Sequence, residues 1–342
     1  MIIVRNLYHM LSYAFDVLLQ RSYSNLETES FDSAIELMGE ILHRGVSGQI
    51  KRGLIRTYVP QKETTNRIKG KVNFSESAKP ELETSLKVVC EFDEFTEDSD
   101  LNRILKSTIL LLTRIKEVPL ELRQRLRKLS LYLTGVTEID VFRVSWKSIR
   151  YDRNNQSYRM LVNICYLIVK GLIQIEKDGS MKLIALSDST VMHALYERFL
   201  REYYRTEYKD IAVSAATIDW VLDEENREFL PTMNTDITLS KDNKKIIIDA
   251  KFYHQIMETN TLYGTSTYSS SNLYQIFSYV KNADPYRTGL VSGILLYGKF
   301  NNEDVKESDF LMSGNRISIK YIDLNEEWHK IKIKLDSIVL IF

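Results

Sequence analysis

The chain has 342 residues, 44% of them hydrophobic and 27% charged, which is typical of a globular protein long enough for two domains. Lysine and arginine together number 46, and so do aspartate and glutamate, so the formal net charge is zero. No overall positive field therefore draws the chain onto nucleic acid. Any contact with DNA has to come from a local patch or from a partner.

The cysteine and hydropathy patterns point to a compartment. Cys90 and Cys165 stand in apolar surroundings without metal-ligand spacing, and the five histidines show no zinc pattern. Buried free thiols suit a reducing cytoplasm. The opening Met1–Arg5 is too short for a signal peptide, and no apolar run approaches the roughly 20 residues of a membrane span. We therefore expect a cytoplasmic protein that does not associate with membranes.

The first part of the chain predicts helices and a long hairpin. An opening helix carries an apolar stripe that begins at Leu7, and a second helix is predicted over residues 31–44. In the range of about 50–74, apolar and polar residues alternate on either side of a polar segment at 60–69. This pattern is typical of a β-hairpin with a polar tip. The basic side chains of this hairpin are Arg56, Lys62, Arg67 and Lys69. From the residues alone, an ordinary surface hairpin is the simplest interpretation.

Further elements complete a predicted N-terminal domain. A strand over 86–95 ends in an acidic segment that can cap a long helix from Leu101. The basic helix over 120–133 is interpreted as a solvated face, with phosphate contact or partner docking left open. A strongly apolar helix over 157–175 closes the domain, which we place at residues 1–185.

Residues 186–342 predict a second domain of the α/β (α+β) class. The order is helix, strands, helix, further strands and a final helix, which favours a central mixed sheet flanked by helices. One strand is predicted to end at Asp236, the polar residues 240–244 form a turn, and a second strand covers 246–253. A helix is predicted over 272–280.

The two neighbouring strands carry the candidate chemistry. Asp249 and Lys251 point to the same side because strand side chains alternate, and Asp236 on the preceding strand adds a second carboxylate. Mg²⁺ prefers oxygen ligands and is typically held by one or two carboxylates, so Asp236, Asp249 and the backbone carbonyl of Ala250 form a possible ligand set. Lys251 would orient or help to deprotonate an attacking water, or stabilise developing negative charge.

This triplet is weak when taken alone, because exposed strands often carry such an ion pair in solvent. Three isoleucines at 246–248 precede Asp249, however, which indicates a strand buried on both faces. Buried charges are costly unless they are paired or bound to a metal. A purely structural ion pair of Asp249 with Lys251 would not account for the second carboxylate, Asp236.

Two helices add candidate residues. Glu197 lies on the helix before the strands, and Gln275 and Tyr279 share one face of the later helix at i and i+4 spacing. By itself, Glu197 is more often an exposed acid, and the later helix an ordinary amphipathic one. Tyr279 is a candidate for contact with DNA.

The order of these motifs resembles the PD-(D/E)XK nuclease superfamily, in the branch with a Gln-x-x-x-Tyr helix. The whole chain more closely resembles the McrC family, the nuclease subunits of McrBC modification-dependent restriction systems. The matching segments are residues 4–15, 52–54, 68–74, 100–108, 235–238 and 249–251. One departure is that four residues separate Pro231 from the first carboxylate, Asp236, where the superfamily motif has a tight Pro-Asp pair.

The resemblance implies a Mg²⁺-dependent endonuclease that cleaves double-stranded DNA carrying 5-methylcytosine, needs no small-molecule cofactor, and uses Glu197 and Gln275 beside the triplet. It also implies that the hairpin at about 50–74 enters the pore of an McrB-like AAA+ GTPase hexamer, which itself reads the modified base. Two alternatives stay open: a stand-alone RecB-like exonuclease of DNA repair, and a non-catalytic stimulator of an AAA+ motor. The intact triplet disfavours the second. The long N-terminal domain, with no Gly-x-x-x-x-Gly-Lys-[Ser/Thr] motif in the chain, disfavours the first.

Overall fold

The computed structural model describes residues 4–15, 31–78, 85–153, 155–175, 181–183, 190–223, 226, 228–252, 257–260, 265–300 and 306–342. The α-helices are α1 (Val4–Ala14), α2 (Ala34–Arg52), α3 (Phe74–Ser77), α4 (Asp100–Arg114), α5 (Leu120–Ser130), α6 (Gln156–Tyr166), α7 (Thr190–Glu207), α8 (Ser270–Ala283) and α9 (Trp328–Val339). Within this part of the chain, none of the helices combines the length and apolar character that a bilayer crossing requires.

The strands are β1 (Thr57–Thr65), β2 (Lys71–Val72), β3 (Val88–Thr96), β4 (Ile173–Ile175), β5 (Met181–Leu183), β6 (Ala212–Ser214), β7 (Thr217–Ile218), β8 (Met233–Asn234), β9 (Ile237–Lys241), β10 (Lys244–Phe252), β11 (Met257–Asn260), β12 (Thr265–Tyr268), β13 (Val291–Lys299), β14 (Ser308–Met312) and β15 (Asn315–Asp323).

The chain forms two compact units that differ from the predicted division at residue 185. The large unit combines Met1–Leu37 with Lys170–Phe342, and the small unit is Met38–Val169. Helix α1 joins the large unit because its polar groups bond there: the Asn6 amide donates to the carbonyls of Leu324 and Glu326 at 2.9 and 2.7 Å. The apolar stripe of α1 predicted a buried face correctly, but helical periodicity does not say which element covers that face.

A six-stranded mixed sheet organises the large unit. Its order is β14-β15-β13-β10-β9-β6, with β10, β13 and β15 parallel and the other strands antiparallel to their neighbours. This confirms the predicted α/β (α+β) class. The predicted turn is also present, because β9 and β10 pair antiparallel through Asp242 and Asn243. Asp242 has a φ of 52°, a conformation that Asp and Asn adopt more readily than most residues.

Two glycines of β13 show how the helices flank this sheet. Gly293 and Gly298 are five residues apart and so face opposite sides of the sheet. A Cβ at Gly293 would meet Ile276 and Val280 of α8 at 2.8 and 2.7 Å. A Cβ at Gly298 would meet Tyr196 of α7 at 3.3 Å. Helices α7 and α8 therefore cover opposite faces, and both approach closely because the glycines lack side chains.

The small unit contains a three-stranded sheet of order β1-β3-β2, which corrects the predicted hairpin. Strand β1 continues through most of the predicted polar tip and pairs along its whole length with β3, from Thr57↔Thr96 to Thr65↔Val88. Strand β2 pairs with the other edge of β3. The prediction failed because β1 is largely exposed and carries polar residues on both faces, so its sequence lacks the apolar alternation that marks a half-buried strand.

Three basic side chains in and beside this sheet form ion pairs. Lys62 pairs with Glu76, Lys69 with Glu63 at 2.9 Å, and Arg56 with Glu97 at 2.7 Å. Each of these pairs is exposed, so each contributes little to stability. An aromatic pair is the more prominent feature: Tyr58 and Phe95 face each other across β1 and β3 with ring centroids 4.8 Å apart, and are 68% and 53% exposed.

Other predicted elements differ mainly at their ends. Ser99 is the N-cap of α4 and accepts a hydrogen bond from the Asn102 backbone N–H, in agreement with the predicted cap. The apolar helix predicted to reach residue 175 is regular only to Tyr166, and β4 at its end pairs with β5. The N-cap predicted at 187–189 lies outside the described residues.

We expect Gly293→Ala to destabilise the protein by about 1–3 kcal/mol, because the added methyl group overpacks the contact between β13 and α8. Gly135→Ala is the control, because a Cβ there has no neighbour within 4 Å. Chemical denaturation followed by circular dichroism measures both. Equal midpoints for the two variants would contradict the close packing of α8 on the sheet.

Candidate functional site

The central strand β10 places Asp249 and Lys251 together. Asp249 is 1% exposed and Lys251 is 7% exposed, so the strand is buried on both faces as the isoleucine run predicts. The Lys251 Nζ atom lies 2.8 Å from Asp249 Oδ2. The two charges therefore form a buried ion pair.

Asp236 reaches the same strand from the preceding segment. It lies at a bend just before β9, rather than at the end of a strand as predicted. Its Oδ2 atom accepts a 2.8 Å hydrogen bond from the backbone N–H of Ala250, the residue between Asp249 and Lys251. The predicted convergence of two carboxylates and one lysine is therefore present in the structure.

Helix α8 adds a chain of hydrogen bonds. Lys251 Nζ donates to Gln275 Oε1 at 3.1 Å, and Gln275 Nε2 donates to the Tyr279 hydroxyl at 3.0 Å. The predicted shared face of Gln275 and Tyr279 is confirmed. Tyr279 is only 9% exposed, and its hydroxyl makes the hydrogen bond that orients the Gln275 amide. Its contact with DNA stays a prediction.

Helix α7 brings Glu197 and two residues that the sequence did not single out. Arg201 Nη1 donates to Glu197 Oε1 at 3.0 Å and to the backbone carbonyl of Asp236 at 3.3 Å. His193 is the second such residue, because the charges of Lys251, Glu197 and Asp249 all act on it. His193, Glu197 and Arg201 follow each other at spacings of four and share one helical face. That spacing was the available signal for both missed residues.

The electrostatics of the site disfavour a second negative charge. Burial first, and then the charge of Asp249, raise the pKa of Asp236 to about 7. Burial also raises the pKa of Asp249, against the opposing effect of Lys251. Burial and the nearby Lys251 charge lower the pKa of His193. A bound cation would offset the repulsion between the two carboxylates.

The donor set suits a hard divalent cation. Asp236 and Asp249 supply carboxylate oxygens, and Ala250, whose N–H bonds to Asp236, follows Asp249 directly and offers its backbone carbonyl. Among the described residues, no three Asp, Glu, His or Cys side chains are grouped to hold a metal by themselves. Two carboxylates with a backbone carbonyl beside them fit Mg²⁺, which keeps several waters and takes few carboxylates.

A separate cavity of about 540 Å³ does not belong to this site. Its lining includes Lys244, Lys245 and Ile246, at the start of β10, together with Arg316 at the start of β15. The site residues Asp249 and Lys251 lie toward the other end of the same strand.

Comparison with known proteins decides the family. The family model described as "McrBC 5-methylcytosine restriction system component" matches residues 4–298, a range that includes every residue of the candidate site. The chain belongs to the McrBC family. The sequence-based resemblance to McrC proteins is thereby confirmed.

Two relatives of this McrBC family chain illustrate the similarity. The chain is 28% identical over 329 residues to the "Type IV methyl-directed restriction enzyme EcoKMcrBC" of Escherichia coli strain K12, covering 95% of this chain and 93% of that protein. Its fold is similar to a solved chain from an assembly of Thermococcus gammatolerans McrB AAA+ hexamers with bound McrC. That match has a TM-score of 0.51 and 17% identity, and covers 99% of this chain and 76% of the other.

The raised pKa of Asp236 gives a prediction for the metal-free protein. The folded state holds a proton on Asp236 that the unfolded state releases from pH 4 upward, so stability falls as pH rises from about 4 to about 7. Asp236→Asn removes the charge and can keep the bond to Ala250. We expect this variant to raise the melting temperature relative to wild type more at pH 8 than at pH 5. Each kcal/mol added to the free energy of unfolding corresponds to about 2–4 °C. An identical difference at both pH values would show that Asp236 does not titrate in this range.

Proposed function

We propose that the chain is the Mg²⁺-dependent DNA endonuclease subunit of a restriction system that acts on DNA carrying 5-methylcytosine. The single observation that carries this proposal is the convergence of Asp236, Asp249 and Lys251 on β10. Membership of the McrBC family supports it, as does the methyl-directed restriction activity named for the E. coli relative. The residue types match phosphodiester hydrolysis, which needs metal-binding carboxylates and a cation near the reacting phosphate.

The metal would be held by Asp236 and Asp249, with the carbonyl of Ala250 as a further ligand. When bound, Mg²⁺ supplies charge neutralisation and a more acidic water. Lys251 would orient that water or stabilise negative charge on the phosphate, since its ammonium group is the cation beside both carboxylates. Glu197 would act from α7 as a carboxylate at the edge of the site.

Helix α8 would keep Lys251 in place. Gln275 accepts a hydrogen bond from the lysine through Oε1, and Tyr279 accepts one from the Gln275 amide nitrogen. Because the amide nitrogen is engaged, the oxygen faces Lys251. The ammonium group is therefore held between Asp249 and Gln275 before substrate arrives, which lowers the cost of ordering it during the reaction.

The proposed partner is an McrB-like AAA+ GTPase hexamer. The solved Thermococcus assembly contains McrB AAA+ hexamers with bound McrC, and we assign the same kind of partner to this chain. The coupling element would be the ribbon of β1 and β3. Since Arg56, Lys62 and Lys69 already have acidic partners in the small unit, the exposed Tyr58 and Phe95 pair is the stronger candidate anchor.

Mutation of the site should affect DNA cleavage without affecting stimulation of the partner's GTP hydrolysis. We expect Asp249→Asn and Lys251→Gln each to reduce Mg²⁺-dependent cleavage of methylated DNA by about 100-fold or more, while stimulation of the partner's GTP hydrolysis stays near wild type. Lys245→Ala, at the exposed start of the same strand, should retain both activities. The measurements are single-turnover cleavage and GTP hydrolysis with the partner present. Cleavage within tenfold of wild type in either site variant would remove the assignment.

The coupling assignment has its own test. We expect the double change Tyr58→Ala with Phe95→Ala to lower stimulation of the partner's GTP hydrolysis by about tenfold or more, because exposed aromatic anchors dominate many interfaces. Cleavage should fall with it. Tyr286→Ala removes an aromatic ring that is 89% exposed in the large unit and should change neither activity. Full stimulation by the double variant, with a normal melting curve, would place the coupling element elsewhere.

A further inference from the structure

Arg201 links helix α7 to the bend that carries Asp236. One nitrogen, Nη1, lies 3.0 Å from Glu197 Oε1 and 3.3 Å from the Asp236 carbonyl oxygen. The side chains of Arg201 and Glu197 are 23% and 29% exposed, so the contact is largely shielded from solvent. Neither residue belongs to the hydrogen-bond chain of Lys251, Gln275 and Tyr279.

The backbone at Asp236 needs such a contact. The pairing of β9 with β10 begins at Ile237↔Ile248, so the strand ladder does not fix Asp236. Thr235, on its other side, is held by hydrogen bonds with the backbone of Ala216. The Asp236 carboxylate accepts from Ala250, but a metal would compete for its oxygens. The bond from Arg201 instead holds the carbonyl, which stays available whatever the carboxylate binds.

We propose that Arg201 is a positioning residue for the Asp236 carboxylate: it fixes the bend so that the carboxylate stays beside β10, where it could bind Mg²⁺ together with Asp249. This inference rests on the proposed metal-dependent function. Arg201 touches neither the metal nor the DNA in this role. It acts through the backbone of Asp236, and its pair with Glu197 sets the direction of the guanidinium group.

If Arg201 acted only through its charge, its removal would change the Mg²⁺ affinity in the opposite direction. Arg201 is a cation next to a site that would bind a cation, so removing its charge alone should strengthen Mg²⁺ binding. If Arg201 positions Asp236, its removal should weaken Mg²⁺ binding, because the Asp236 carboxylate is no longer held in place. Loss of a residue that supports a metal ligand typically costs about 10–100-fold in metal affinity. The sign of the change therefore distinguishes the two roles.

The test is calorimetric titration of the full chain with Mg²⁺ alone, at one pH and ionic strength. We expect Arg201→Ala to weaken Mg²⁺ binding by about 10–100-fold and Arg201→Lys, which keeps a donor of similar length, to restore part of the loss. Arg205→Ala is the matched control: Arg205 lies one turn further along α7, pairs with Glu202 and is more exposed. That variant should bind like wild type. Melting curves establish that each variant is folded.

A second experiment distinguishes the loss of the contact with Asp236 from the effect of leaving Glu197 without its partner Arg201. We expect the double variant Glu197→Ala with Arg201→Ala to bind Mg²⁺ as weakly as Arg201→Ala. In cleavage assays, Arg201→Ala should raise the Mg²⁺ concentration for half-maximal rate and leave the rate at saturating Mg²⁺ within a few-fold of wild type. Unchanged or tighter binding by Arg201→Ala, or recovery in the double variant, would overturn the inference. Failure of wild type to bind Mg²⁺ would instead remove the proposed metal centre itself.

Discussion

The burial of Asp249 and Lys251 on β10 is the constraint on which the rest of the site depends. Charged groups on a strand covered on both faces are costly unless each one has a partner. The surrounding contacts meet that need stepwise: Lys251 faces Asp249, and Gln275 accepts from Lys251. Asp236 brings a second carboxylate next to the first, and burial together with the charge of Asp249 raises its pKa. The proposed divalent cation would offset this repulsion.

The sequence predicted the centre of this site because the relevant signals are local. Alternation on a strand places Asp249 and Lys251 on one side, and the isoleucines before them indicate burial. The helical spacing of Gln275 and Tyr279 gave their shared face in the same way. Arg201 and His193 were missed because their importance arises only when α7 packs against the sheet, and single-sequence periodicity does not specify that neighbour. Asp236 was placed at a strand end, whereas the structure has it at a bend, because a polar residue between two short strands carries no strong signal for either.

The small unit shows the opposite case, in which local signals misled. The polar run at 60–69 predicted a hairpin tip, yet most of it is strand, since β1 has no fully buried residue and so needs few apolar ones. The same exposure changes how the ribbon can be recognised. Arg56, Lys62 and Lys69 are paired with nearby glutamates, so specificity for a partner would come from shape and from the aromatic pair rather than from these three charges.

The docking of α1 into the large unit also has a consequence for how the chain folds. Asn6 bonds to Leu324, 318 residues away in sequence, so the large unit is assembled from two segments that are synthesised far apart in time. The small unit between them is contiguous and can fold as soon as it leaves the ribosome. The apolar stripe of α1 packs mainly on α7, so it stays uncovered at least until residues 190–207 have been synthesised. Contacts of such long sequence separation slow folding, and during that time the apolar stripe is open to non-native contacts.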